Sequence, residues 1–299
     1  MALWLNALFC IIGCFIFNGD VPFLMYALIS GTFAALIIQK TDKRSHLIPA
    51  AIGMAAVDFV AMISLGFFFG EGYSSTLLVH GCIGAVTGLL SVIIAVGSLP
   101  FWETVFEANT PLRLMELTNP NNELLRRLMI EAPGTYHHSL IVANLAETAV
   151  YEIGGNTALA RAGAYYHDIG KIQAPQYFAE NQTGRNLHDE LPPEESAKMI
   201  TGHTKEGLKL AEQYHLPPVV RDMIVEHHGN SLVKFFYYKA LKTYGAEQVI
   251  EAEYRYQGRI PSSRESAVVM LADTVEAAVR SMLGRGKSLE EAAEGMKGV

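Results

Sequence analysis

Almost all of the charge in this chain lies in its last two thirds, and this division limits the folds that are open to it. The 299 residues include 23 basic and 30 acidic side chains. Residues 1–98 hold three of the basic and four of the acidic ones, which leaves 20 and 26 for the remainder. The apolar residues of the first part form four stretches, at 2–17, 21–38, 47–69 and 76–99. Such a segment is suited to lipid rather than to water.

The lengths of these stretches indicate how they are used. A helix needs about 20 apolar residues to cross a bilayer. The third and fourth stretches reach this length, the second is marginal and the first is short. A signal peptide is an alternative for the first stretch, but no basic region precedes it. We therefore predict about four transmembrane helices within residues 1–99, the first two forming a hairpin around residues 18–20.

Loop charges predict the orientation of these helices. The loop 39–46 carries three basic residues, and the loop 70–75 carries a single acidic residue. Because basic loops stay in the cytoplasm, four crossings place residues 99–299 inside the cell. That part contains no cysteine, which agrees with a reducing compartment.

One ionisable residue, Asp58, lies inside the third apolar stretch. Carboxylates at membrane depth are costly and often functional. The structural explanation is a carboxyl that hydrogen-bonds to a neighbouring helix or is protonated in place. No second ionisable residue shares its depth, so we favour the structural explanation.

Residues beyond 99 show helical periodicity without an alternating strand pattern, so the predicted fold class is all-α. We expect a juxtamembrane connector at 100–135 and a helical domain at 136–299. The expected helices of this domain are 136–153, 157–168, 194–201, 205–214, 217–228, 231–258, 263–283 and 288–296. A net charge of -7 gives no reason to expect DNA or RNA as a partner.

Eight of the ten histidines fall between His137 and His228, several beside a second ligand-forming residue. Nitrogen and oxygen ligands without cysteine suit iron, manganese, nickel or cobalt better than a structural zinc site. A lone histidine is more often a hydrogen-bonded core residue, but several on separate helices indicate a metal centre. The candidate ligands are His138, His167, Asp168, His203, His227, His228 and Asp273.

Neighbouring ligands raise a geometric problem, because adjacent residues on a helix point about 100° apart. His227 and His228 can face one site only if the helix frays or turns there, and Gly229 supplies such a turn. For the pair His167 and Asp168, a carboxylate can bridge two cations and an imidazole cannot. Asp168 is therefore the natural bridge between two metal ions, which can clamp a phosphoryl group and activate water.

Four segments carry a resemblance to a known family. The order of ligands and the segment YHDIGK at 166–171 resemble the HD-domain phosphohydrolases. PGTYHHS at 133–139, YFAENQ at 177–182 and GHTKEG at 202–207 are similar to the seven-transmembrane HD proteins of bacteria. Those proteins are membrane receptors whose cytoplasmic domain hydrolyses cyclic di-AMP to the linear dinucleotide pApA.

The resemblance implies an enzyme with two divalent metal ions, manganese or iron being expected first. His138, His167, Asp168 and Asp273 would hold one ion, with His138 chosen over His137 because the family's ligand directly precedes the serine. His203, His227 and His228 would hold the other, with Asp168 shared. Lys171 would contact a phosphate oxygen or assist the leaving group, and Lys205 is a weaker candidate for substrate binding.

The sequence also departs from the family, whose members carry an extracellular domain and more membrane helices. We therefore expect the chain to be part of a longer receptor. The expected partners are a cyclic dinucleotide and a bacterial cell membrane, and the sequence is compatible with a homodimer. Hydrolysis of another nucleotide, such as a dNTP or (p)ppGpp, is the closest alternative. A receptor that binds nucleotide without turnover is a second, and a transporter a third.

Overall fold

The computed structural model describes residues 2–38, 46–70 and 72–284. Within these ranges the chain is all-α, as predicted, and the only β pairing is an isolated bridge between Leu232 and Arg255. The α-helices are α1 (Ala2–Ile16), α2 (Val21–Ile38), α3 (Leu47–Phe68), α4 (Ser75–Val105), α5 (Pro111–Leu117), α6 (Glu123–Glu131), α7 (Pro133–Glu152), α8 (Thr157–Tyr166), α9 (Pro193–Gln213), α10 (Pro218–Glu226), α11 (Lys234–Tyr244) and α12 (Arg264–Gly284). The helix expected at 288–296 lies outside the described residues.

The chain forms two compact units, Met1–Ala108 and Asn109–Val299. The first contains α1 to α4, whose positions follow the four apolar stretches. Only α3 and α4 are long and apolar enough to cross a membrane, so the expected count of about four crossings is not confirmed. Helix α4 also continues through Pro100 to Val105, beyond the boundary expected at residue 99. The basic residues of loop 39–46 lie outside the described residues.

Asp58 is buried where α3 meets α4. Glycines let the two helices approach closely, as is common in membrane helix pairs. A Cβ atom on Gly88 would lie 2.7 Å from Asp58 Oδ2, and one on Gly84 would lie 2.6 Å from its carbonyl oxygen. The carboxyl of Asp58 thus occupies the space beside Gly88, and its backbone lies against Gly84.

The second unit has its own apolar core, which begins in the segment expected to be a connector. Leu114 on α5 and Leu124, Leu125 and Leu128 on α6 are fully buried in the cluster that also holds α7, α8 and α10. Burial of each such side chain stabilises the fold by about 1.5–3 kcal/mol. Residues 109–131 are therefore an integral part of the helical domain.

Several helix boundaries differ from the expected ones. Helix α7 begins at Pro133, since proline is well suited to the first helical turn, where its missing N–H has no acceptor to bond. Helix α9 continues through Gly202, which was expected to separate two helices; a single glycine in a long helix costs only about 1 kcal/mol. Helix α11 ends at Tyr244, where Gly245 adopts a φ of 85°, instead of continuing to residue 258.

Candidate metal centre

Two ligand pairs lie at the carboxyl ends of helices. Helix α8 ends at Tyr166, directly before His167 and Asp168, and a 3₁₀ turn then runs from Ile169 to Gln173. Helix α10 ends at Glu226, two residues earlier than expected, and a turn follows His227 and His228, with Gly229 at a φ of 52°. Because the backbone leaves the helix at each pair, adjacent side chains can face the same space, as proposed for Gly229.

Four buried histidines use the same ring nitrogen to fix their orientation. Nδ1 of His167, His203 and His227 lies 2.7, 2.6 and 2.9 Å from the carbonyl oxygen three residues earlier. A carbonyl oxygen can only accept, so each Nδ1 donates a proton and each Nε2 keeps a lone pair. Nδ1 of His138 instead lies 2.5 Å from Glu276 Oε2. Metal-ligating histidines are oriented by contacts of this kind.

The Nε2 atoms converge on Asp168, which is almost completely buried. Its Oδ1 lies 3.2 and 3.6 Å from Nε2 of His203 and His227, and its Oδ2 lies 3.5 and 3.3 Å from Nε2 of His138 and His167. Each carboxylate oxygen therefore faces a different pair of histidines. This division is what a carboxylate shared by two cations requires.

Asp273 and His228 complete the cluster. Asp273 Oδ1, on α12, lies 3.1 Å from His138 Nε2, and Oδ2 lies 3.8 Å from His228 Nδ1. The ring of His228 lies 4.2 Å from that of Tyr256. All seven ligands expected from the sequence thus lie in one cluster, whereas the neighbouring His137 is exposed.

Polar atoms in this cluster lack the partners that burial demands. Nε2 of His167 and Oδ1 of Asp168 are buried without a hydrogen bond. Nε2 of His203 and of His227 are 3.1 Å apart, each with a lone pair directed at the other. Buried lone pairs facing one another and a carboxylate are unfavourable unless a cation lies between them. The donor set therefore fits divalent metal ions.

Electrostatics in the cluster differ from one histidine to the next. Burial lowers the pKa of His227 to about 4. Burial also opposes protonation of His138, but the carboxylates of Asp273 and Glu276 outweigh it and raise its pKa to about 9. Burial would raise the pKa of Asp273, yet neighbouring His138 holds it below the usual range.

Lys171 is buried beside the cluster and is held by two carboxylates. Its Nζ lies 2.6 Å from Asp168 Oδ2 and 2.8 Å from Glu180 Oε1. Burial opposes the charge of this ammonium, but the two carboxylates keep its pKa above the ordinary value. Burial likewise opposes ionisation of Glu180, but Lys171 lowers the pKa of Glu180 to about 2. Both groups are charged at neutral pH.

Lys205 lies apart from this cluster, exposed on α9 two residues after His203. It lines a cavity of about 1130 Å³ together with His203, Phe178, Arg255 and other residues. The cavity therefore borders the cluster on the side of His203.

Sequence reasoning missed three charged residues beside the cluster: Glu276 contacts His138, Glu180 contacts Lys171, and Arg280 contacts both glutamates. Glu180 lies in the 177–182 segment, which was quoted for its resemblance but not for any single side chain. Glu276 and Arg280 follow Asp273 at helical spacings of three and seven, so they share its face of α12. That spacing is a signal that the sequence offers once Asp273 is taken as a ligand.

An all-helical unit with a buried cluster of histidines and aspartates, two of them adjacent, defines a metal-dependent hydrolase of the HD type. Comparison with known proteins agrees. The family described as 7TM receptor with intracellular HD hydrolase matches residues 1–110, and the HD domain matches residues 135–278. The chain belongs to this family of membrane receptors with an HD hydrolase domain. It is accordingly a membrane protein, and α3 and α4 are its candidate spans.

Several relatives carry the same name. The chain is 44% identical over 263 residues to the cyclic-di-AMP phosphodiesterase PgpH of Bacillus subtilis, and 40% identical to that of Listeria monocytogenes. Each alignment covers 86% of this chain and 36% of the relative, so the chain spans about a third of their length. The crystal structure of the L. monocytogenes PgpH HD domain with cyclic di-AMP is 49% identical, with a TM-score of 0.52 over 55% of this chain and 76% of that one.

Proposed function

We propose that this protein is a membrane-anchored phosphodiesterase with two metal ions that hydrolyses cyclic di-AMP to pApA. The single observation that carries the proposal is the set of buried, unpartnered lone pairs around Asp168. The substrate is inferred from the names of the PgpH relatives and from the cyclic di-AMP in the similar crystal structure.

Two sets of ligands would hold the ions. His138, His167 and Asp273 would bind the first ion through nitrogen and oxygen, and His203, His227 and His228 would bind the second. Asp168 would contribute one oxygen to each, in keeping with the way its two oxygens face the two sets. A donor set without sulfur favours manganese or iron. Such a pair of ions polarises a phosphoryl group and activates water for attack.

The reaction is an in-line displacement at phosphorus. The oxygen of water forms a bond to one phosphorus, the bond from that phosphorus to the ribose 3′ oxygen breaks, and the leaving oxygen takes up a proton. One hydrolysis opens the ring and yields pApA. The burial of Asp168 and His167 excludes bulk water from the ligand atoms, which strengthens electrostatic interactions there.

Two lysines are proposed to interact with the substrate. Lys171 would stabilise negative charge on the phosphate or on the leaving oxygen, since its ammonium is charged and borders Asp168. Lys205 would attract the dinucleotide into the cavity that it lines beside His203. Its exposed position suits a long-range electrostatic contribution to binding, which is weaker than a buried contact.

The proposed arrangement in the cell follows from loop charge. Helices α1 to α4 would form a multi-pass membrane region, and the unit that begins at Asn109 would be the catalytic domain in the cytoplasm, with α5 and α6 in its core. A bacterial cell membrane with its anionic inner leaflet is the expected lipid partner.

The decisive experiment uses the full chain purified in detergent. Its content of manganese and iron would be measured, and release of pApA from cyclic di-AMP would be followed by chromatography. We expect close to two metal ions per chain and conversion to pApA. Protein stripped of metal by a chelator would serve as the metal-free control, and a variant with His203→Ala and His227→Ala together should lose the second ion.

Other outcomes of this experiment would support one of the alternative functions. Turnover of a dNTP or of (p)ppGpp without turnover of cyclic di-AMP would identify a hydrolase of another nucleotide. Binding of metal and cyclic di-AMP without turnover would identify a receptor. A protein that binds no metal in any of these assays would contradict the proposal as a whole.

A further inference from the structure

Four charged residues connect two of the metal ligands through alternating charges. Starting at His138, Nδ1 contacts Glu276 Oε2 at 2.5 Å, and the same carboxylate oxygen lies 3.3 Å from Arg280 Nη2. Arg280 Nη1 lies 3.4 Å from Glu180 Oε2. The other oxygen of Glu180 contacts Lys171, which contacts Asp168. The chain of charges therefore begins at one ligand and ends at another.

The backbone around Glu180 is fixed independently of these charges. Thr135 Oγ1 donates to Glu180 Oε1 at 3.1 Å, and Thr135 accepts from Asn181 Nδ2 at 2.8 Å. Gly134 lets the segment approach the start of α7, because a Cβ atom there would lie 2.5 Å from the carbonyl carbon of Glu180. These contacts hold the carboxylate of Glu180 in place independently of Lys171 and Arg280.

Arg280 is the most exposed residue of this chain of charges. Its side chain is 38% exposed, whereas those of Glu180 and Glu276 are largely buried. Without Arg280, the buried carboxylates of Glu180 and Glu276 would lose the guanidinium that contacts both of them. Buried charges that lose a partner are strongly unfavourable, so their side chains would rotate towards water. Rotation of Glu276 would release Nδ1 of His138, and rotation of Glu180 would release Lys171.

We propose that Glu180, Glu276 and Arg280 are positioning residues, which hold His138 and Asp168 in the geometry that binds metal through one continuous chain of ion pairs. The inference rests on the proposed function for the identity of the metal centre. It goes further by assigning roles to three residues outside the ligand set. Partners that orient ligands in this manner typically contribute 10–100-fold to metal affinity or activity.

The test compares four single variants and one double variant of the full chain in detergent. Arg280→Met removes the charge and keeps the length of the side chain, Arg280→Lys keeps the charge, and Glu180→Gln removes the carboxylate charge. Arg161→Met is the matched control. Arg161 is 29% exposed and contacts Glu147, Asn144 and Tyr165, none of which belongs to the chain of charges. The affinity of the metal-free protein for Mn²⁺ would be measured by competition with a chelator, with melting temperature, kcat and KM alongside.

We expect Arg280→Met and Glu180→Gln each to weaken Mn²⁺ binding by about 10-fold or more. Arg280→Lys should recover part of this loss, and Arg161→Met should lower the melting temperature while leaving Mn²⁺ affinity unchanged. The double variant with Glu180→Gln and Arg280→Met should lose less than the product of the single losses, since both interrupt the same chain. The fall in activity should lie in kcat more than in KM.

Wild-type Mn²⁺ affinity in both Arg280→Met and Glu180→Gln would overturn the proposal. So would an equal loss in Arg161→Met, because the effect would then be one of general stability. Wild-type protein that binds Mn²⁺ but leaves cyclic di-AMP intact would refute the proposed activity alone. The affinity series would still decide the positioning roles in that case.

Discussion

Gly170 can be used to test whether the positions of the candidate ligands depend on the packing of the 3₁₀ turn against α9. It follows Asp168 in the 3₁₀ turn and touches α9 at His203 and Gly207. A Cβ atom on Gly170 would lie 2.5 Å from the backbone nitrogen of Gly207, 2.8 Å from the carbonyl carbon of His203 and closest to the carbonyl oxygen of His203. Real Cβ atoms essentially never approach nearer than 3.0 Å. In a Gly170→Ala variant, α9 must therefore move by more than 0.5 Å at Gly207 and by about 1 Å at His203.

Two consequences follow from this displacement. Overpacking of a tight contact costs about 1–3 kcal/mol of stability. A shift of about 1 Å in a reacting group can lower the rate about 100-fold. We therefore expect Gly170→Ala to lose about 100-fold in pApA release and several degrees in melting temperature, measured on the full chain in detergent.

Gly202→Ala is the matched control, because Gly202 lies on α9 beside His203 and a Cβ atom there meets nothing within 4 Å. Alanine favours a helix over glycine by about 1 kcal/mol. This variant should keep its activity and melt at the same or a higher temperature. Wild-type activity and stability in Gly170→Ala, or an equal loss in Gly202→Ala, would refute the argument from packing.

Three further predictions concern the metal centre. Asp168→Ala should lower pApA release by about 1000-fold or more, since metals supply several kcal/mol to the transition state and each 1.36 kcal/mol is tenfold; an ordinary rate would exclude a bridging role. Because the pKa of His138 is raised to about 9 without metal, Mn²⁺ must displace a proton. Its affinity should rise up to about tenfold per pH unit from pH 7 to pH 9 and then level off; calorimetry showing no proton release would contradict this. Removal of metal by a chelator should lower the melting temperature, and added Mn²⁺ should restore it. Compared with protein in metal at 100 times the Kd, the metal-free protein should lose about 2.7 kcal/mol of its free energy of unfolding.

The pKa of His227 is lowered, whereas that of His138 is raised. The lowered pKa predicts how the metal-free protein responds to acid. The folded pKa of His227, about 4, lies below the ordinary value of 6.5, so the unfolded chain binds the proton more tightly. The contribution of His227 to stability is present above pH 6.5 and is lost as the pH falls towards 4. Unfolding by denaturant, followed from pH 7 to pH 4.5, should show this loss in wild type and a shallower one in His227→Gln. Parallel profiles would contradict the assignment.

The helices that were easiest to predict from the sequence were those that lie in continuous apolar stretches. The apolar stretches predicted the bounds of α1 to α3 and the start of α4 closely, because a lipid-facing helix is apolar over its whole length. The start of α8 was placed correctly, because Asn156 caps the helix that begins at Thr157. Soluble helices were misplaced where tertiary packing overrides propensity, as at Gly202, whose helix is held by the contact of His203 and Gly207 with Gly170.

Pairing of charges across the fold lay beyond the sequence. The ligands were accessible to sequence reasoning because imidazole and carboxylate are rare in cores and their chemistry is restricted. Glu180 and Arg280 are 100 residues apart, and no sequence pattern pairs them with each other. Their contact arises only because Gly134 brings the 179–181 turn against α7, which packs on α12.

Lys171 shows how the structure changes an argument based on residue type alone. An ammonium next to a phosphate site suggests substrate contact, but here it already has two carboxylates within 2.8 Å. A divalent ion on Asp168 would repel Lys171 and weaken its contact with Asp168, which leaves Glu180 as the partner that keeps the ammonium at the site. Whether Lys171 reaches a phosphate therefore depends on Glu180, and the Glu180→Gln variant should alter kcat through Lys171 as well as through the metal.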